Sequence, residues 1–151
     1  MKKLLQIGLI TLFGIQFFQP DRNETLESLP TDLMNYAQPS EEVQLILKKA
    51  CYDCHSNNTT YPLYSYIQPV GWWINHHIQE GKEHLNFSEF GSYPPKKVVH
   101  KLEEIVESQE THWMPMDSYT WIHAEARLTE KERTALVAWA QSSIDSLKSV
   151  H

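Results

Sequence analysis

The chain has 151 residues, enough for one domain with a modest core. Charged residues make up 21% of it and the formal net charge is -6, so there is no basic stripe to neutralise phosphates, and nucleic acid is excluded as a partner. The mild acidic excess reads as a solvated surface that suits many partners.

Met1-Lys2-Lys3 precedes an apolar run from Leu4 to Phe18 that only Gln6 and Gln16 interrupt. This is the pattern of an export signal, and residues 1–19 are predicted to be a signal peptide or an uncleaved membrane anchor. At about 1.5 Å per residue the run is roughly 22 Å long as a helix, short of the roughly 30 Å hydrocarbon core, which suits a signal better than a full crossing. No small-residue cleavage site follows, however, and Phe17-Phe18 would sit at an interface. Either way Lys2 and Lys3 stay in the cytoplasm and everything after Asp21 lies outside it, periplasmic or anchored facing the periplasm. Residues 20–39 hold three prolines and no lasting period, which predicts a tether ahead of a folded domain at 40–151.

Ser40-Glu41-Glu42 supplies an N-cap and first-turn acids, and Val43, Ile46, Leu47 and Ala50 follow at helical spacing, so one amphipathic helix runs into Cys51. A polar, tyrosine-rich loop is expected from Ser56 to Tyr66. A second helix is expected from Pro69, with Val70, Trp73, Ile74, His77 and Ile78 on one face and its stop at Gly81. A third follows Pro94-Pro95 with Val98, Val99, Leu102, Ile105 and Val106 as its stripe. After an irregular aromatic segment from Thr111 to Leu128, Thr129 to Glu132 forms a capping box, and Leu136, Val137, Ala140, Ile144 and Leu147 line the last helix. No strand or repeat is evident, so the fold class is all-α.

The chemistry concentrates in Cys51-Tyr52-Asp53-Cys54-His55. Two thiols one turn apart reach the two vinyl groups on neighbouring pyrrole rings, and the histidine directly after them is held beneath the ring as the proximal iron ligand. The pattern predicts one haem c, covalently bound through Cys51 and Cys54 and ligated by His55. A plain disulfide and a thioredoxin-like pair compete with this reading, but the latter wants a βαβ setting. A structural zinc site lacks a second pair of cysteines.

The sixth ligand is expected from the loop Trp113-Met114-Pro115-Met116. A neutral thioether favours ferrous iron and suits an electron shuttle, and a proline directly after Met114 restrains it. Met116 and His77 stay open as alternatives, while His76, His84 and His100 read as surface residues. Trp72, Trp73, Trp113, Trp121 and Trp139 are read as packing.

These residues resemble those of bacterial haem-binding-domain proteins, short exported chains similar to a small cytochrome c. The resemblance covers most of residues 43–140. It rests on Cys51 to Asn57, Thr60-Tyr61-Pro62, Tyr66, Pro69 to Trp72, Asn75-His76-His77, Glu80-Gly81, Leu85 to Glu89, Met114-Pro115, Tyr119 and His123 to Leu128. It implies a helical domain outside the cytoplasm around one covalent haem. One departure is Met114-Pro115-Met116 where the family often reads Met-Pro-Pro, which adds a second thioether.

The expected function is one-electron transfer rather than catalysis, with a redox protein or a membrane respiratory complex as partner and a possible hold on the membrane through the N-terminus. The competing function is a haem enzyme or gas sensor such as a peroxidase, with His112 or His123 as the distal acid-base group.

Overall fold

A computed structural model describes residues 1–25 and 29–149. Residues 26–28 of the expected tether and 150–151 at the end of the expected domain lie outside the described residues. Helices run in the order α1 (Lys2–Ile15), α2 (Leu33–Tyr36), α3 (Glu41–Ala50), α4 (Tyr52–His55), α5 (Val70–His84), α6 (Pro95–Glu110), α7 (Asp117–Thr120) and α8 (Glu130–Ser149), with short 3-10 turns between some of them. The described residues contain no strand, only an isolated bridge between Glu24 and Asn58. The all-α expectation holds.

The core forms where the apolar stripes of α3, α6 and α8 meet. Ser40 caps α3, its Oγ accepting from Val43 N at 3.4 Å, and Val43, Ile46, Leu47 and Ala50 are buried as their spacing requires. From α6 come Val98, Leu102 and Ile105, and from α8 Leu136, Ala140 and Ile144. The predicted capping box is present: Thr129 N donates to Glu132 Oε2 at 2.8 Å and Glu132 N to Thr129 Oγ1 at 3.3 Å.

Two expectations need correction. The core reaches back beyond Ser40, because Leu33 is fully buried within it and Asp32 both caps α2 and accepts from Tyr52 Oη at 2.8 Å. Upstream, buried Asn23 donates through Nδ2 to Ser56 O at 2.8 Å and to Thr59 Oγ1 at 2.9 Å. The described part of residues 20–39 is therefore packed onto the domain, held by individual polar contacts that leave no period in the sequence. Nor does Gly81 end α5, which continues to His84. A Cβ on Gly81 would lie 2.7 Å from Cys54 O, so the glycine lets α5 approach the cysteine segment closely.

Candidate haem site

The helix α3 delivers Cys51 to the site, and the chain turns there (φ −131°, ψ −41°) into the single turn α4, where Cys54 N and His55 N both donate to Cys51 O, at 3.2 and 3.0 Å. The two residues between the cysteines fix this turn from outside. Tyr52 stacks on Phe87 at 5.1 Å, while Asp53 accepts from Thr60 N at 3.0 Å and from Tyr119 Oη at 2.8 Å. Burial, followed by the hydrogen bond to Asp32, raises the Tyr52 hydroxyl above its ordinary value, and burial beside Asp53 does the same to Tyr119, so both hydroxyls remain donors.

His55 is the best-defined group. Its Nδ1 lies 3.0 Å from Leu85 O, and a carbonyl only accepts, so Nδ1 carries the proton and Nε2 keeps its lone pair. Burial lowers its pKa, against partial opposition from the Leu85 and Gly81 carbonyls, and the ring is neutral. Burial also pushes the Cys51 thiol up to about 12 and the Cys54 thiol up to about 11, the neighbouring thiol and Asp53 respectively adding to it. Both cysteines are free thiols.

Three adjoining cavities surround the motif. One of about 90 Å³ is walled by Cys51, His55, Ile105 and Leu136. A central one of about 260 Å³ brings together Cys54, His55, His77, Met114, Met116 and Tyr119. The third, about 90 Å³, lies beyond Cys54 against Trp73, Ile74 and His123. The α5 stripe thus faces a cleft more than the core: Trp73 and Val70 stay exposed and Ile78 alone of the five is buried.

All three candidate sixth ligands, Met114, Met116 and His77, reach the central cavity that His55 lines. Met114 has an added constraint, since Arg133 Nη1 donates to its carbonyl at 2.8 Å and to Gln109 Oε1 at 2.8 Å. His77 is tied to Glu80, with Nδ1 to Oε2 at 3.4 Å, and meets the edge of Trp73. His76 and His100 are surface residues paired with Glu80 and Glu104. His84, expected only at the surface, is exposed but also borders two cavities beside His55.

His112 is exposed and lines none of these three cavities. It takes φ 60° just past α6, a left-handed position usual after a helix end, and its Nε2 lies 3.1 Å from Glu130. His123 stacks on Tyr119 at 4.3 Å and bonds Tyr64 Oη through Nε2 at 2.6 Å. The tryptophans are not mainly packing: of the five, Trp139 packs against the core, Trp73 and Trp113 border the cavities, and Trp72 and Trp121 are exposed.

Leu85 stands in the sequence only as part of the family resemblance, with no role of its own, because it acts through a backbone carbonyl and carries no side-chain signal. The sequence reading missed Arg133, whose signal was available: it extends the Leu136, Ala140 and Ile144 stripe by one turn as the single charge on it.

The sequence model of the haem-binding domain matches residues 10–142. The chain belongs to the haem-binding domain family. No curated protein and no solved structure matches it. The donor set fits the group this family binds: a neutral imidazole with a free Nε2, two thiols on the same turn, and thioethers bordering the same apolar cleft. Among the described residues, Arg133 Nε and Asn75 Oδ1 are buried side-chain atoms without a hydrogen-bond partner, and neither residue lines the three cavities.

Proposed function

We propose that this haem-binding protein is a c-type electron carrier that works outside the cytoplasm. The residues that would hold the haem are Cys51 and Cys54 through thioethers, and His55 and Met114 as ligands to its iron. When bound, the haem supplies a one-electron ferric and ferrous couple. The observation that carries the reading is the His55 to Leu85 bond: it presets the imidazole with its metal-binding nitrogen free, beside two thiols whose spacing matches the vinyl groups.

The other residues support transfer over catalysis. Leu85 O fixes the plane of the His55 ring, so little has to move when charge changes. Arg133 and Pro115 hold Met114 from two sides. Trp113, exposed beside Met114, gives the cleft an aromatic mouth for a redox partner. The Lys2-Lys3 flank and apolar run support export, which haem c attachment requires, and a membrane respiratory complex or a separate redox protein is the partner class.

Co-expression with a cytochrome c maturation system tests the assignment. The expected product has the mass of the chain plus one haem and a low-spin spectrum with the far-red band of methionine on ferric iron. Met114→Ala removes that band, whereas Met116→Ala and His77→Ala retain it. A bare-chain mass overturns covalent attachment, and fast carbon monoxide binding with peroxide turnover overturns the carrier role.

A further inference from the structure

The sequence has no Asp, Glu, Lys or Arg from Leu4 to Pro20, and none from Tyr61 to Gln79, although the chain is 21% charged. The fold brings these two stretches together. Gln16 Nε2 donates to Gln68 O at 3.1 Å while Gln68 N donates to Gln16 Oε1 at 2.9 Å, a reciprocal pair. Gln68 Nε2 donates to Gln19 Oε1 at 2.8 Å, and Trp72 Nε1 donates to Phe18 O at 2.7 Å. Gln68 is fully buried. The base of α1 is thus clamped to the start of α5 by four bonds instead of being hinged to it.

Around the clamp lies an apolar collar. Phe17, Phe18, Ile67 and Trp72 are 75%, 70%, 57% and 39% exposed. Arg22, the first cation after α1, folds over the rings of Tyr61 and Tyr66 at 4.3 and 3.9 Å. The helix α1 itself buries no residue, and from Leu4 to Ile15 only Gln6 and Thr11 are polar. A helix of that kind needs apolar surroundings on every side, and a continuous exposed apolar surface marks an interaction site.

We propose that a lipid bilayer covers this surface, with α1 inserted and the collar of Phe17, Phe18, Ile67 and Trp72 seated in the interfacial layer. Charge and length both point to lipid. Lys2 and Lys3 stand at the far end of α1, which is charge-free from Leu4 onward, and aromatic residues ring the near end, the arrangement of an interfacial belt. Among the described residues no helix is long and apolar enough to cross a membrane. The collar compensates, because a short apolar helix is accommodated when flanking residues sink into the interface. The haem cleft is then held at one height and orientation above the membrane. A flexible tether would allow neither.

The proposal concerns the position of the fold against lipid, and it holds or fails independently of how haem is attached. The wild-type full-length protein, with ¹⁵N-labelled indoles, is placed in nanodiscs of phosphatidylethanolamine and phosphatidylglycerol that contain a headgroup nitroxide lipid. Trp72→Phe assigns the Trp72 indole signal. That signal is expected to broaden several-fold more than that of Trp139, which lies on α8 and packs against the core. Equal broadening of the two overturns the proposal and leaves the collar to a protein partner.

Discussion

Arg133 Nη1 donates to the main-chain carbonyl of Met114 at 2.8 Å, so the first turn of α8 holds the loop that brings a thioether to the haem cleft. The same nitrogen binds Gln109 Oε1 at the end of α6, which joins three segments through one guanidinium. Hydrogen bonds from a charged donor are worth about 1.5–3 kcal/mol, so losing these frees the loop by roughly tenfold or more. Arg133→Ala is therefore expected to weaken the far-red methionine band and lower the midpoint potential while the thioethers stay intact. Arg133→Lys keeps the charge but not the fork, and falls between. An unchanged band in Arg133→Ala separates the loop from the guanidinium.

Gly81→Ala has an unusual sign for a helix interior. Propensity alone favours alanine by about 1 kcal/mol. Here the new Cβ would lie 2.7 Å from Cys54 O and 3.3 Å from Cys54 C, both backbone atoms of the turn that carries the two cysteines. The expected result is destabilisation by about 1–3 kcal/mol, read as a lower urea midpoint, together with a reduced yield of attached haem. A midpoint that rises instead shows that α5 does not press on Cys54.

Leu33→Ala tests whether the segment before Ser40 belongs to the domain. Leu33 is fully buried in the α3, α6 and α8 core, and such truncations cost about 2–5 kcal/mol. A tether residue would cost nothing measurable. Chemical denaturation followed by circular dichroism distinguishes the two.

These cases also show what the sequence makes legible. Val43, Ile46 and Leu47 on α3, and Leu136, Ala140 and Ile144 on α8, are buried because helical period and core position are the same fact. Cys51, Cys54 and His55 are legible because spacing along one turn is itself the geometry. Leu33 was not, since a helix of four residues has no period. Gly81 read as a stop because glycine ends helices more often than it admits a crossing backbone, and only the approach of Cys54 decides between the two. The aromatic stripe of α5 read as core, although a cleft for a flat apolar cofactor demands the same side chains.

Glu132 links the capping box of α8 to α3. Its Oε1 lies 2.5 Å from Lys49 Nζ, and its Oε2 accepts from Thr129 N at 2.8 Å. The Lys49 ammonium, then the Thr129 amide, hold the carboxyl down at about 2 against an ordinary 4.5. In the unfolded chain the group takes up its proton near the ordinary value, whereas in the folded chain it resists until far lower pH. The stabilisation is thus fully present above about pH 4.5 and is lost as pH falls towards about 2. Because the pair is partly open to solvent, its worth is about 1 kcal/mol or less. Glu132→Gln is expected to lower the unfolding free energy measured by urea titration near neutral pH by that amount, and the gap from wild type should close as pH falls through that interval. A gap that stays constant with pH would place the effect in the cap's shape and not in the carboxylate's charge.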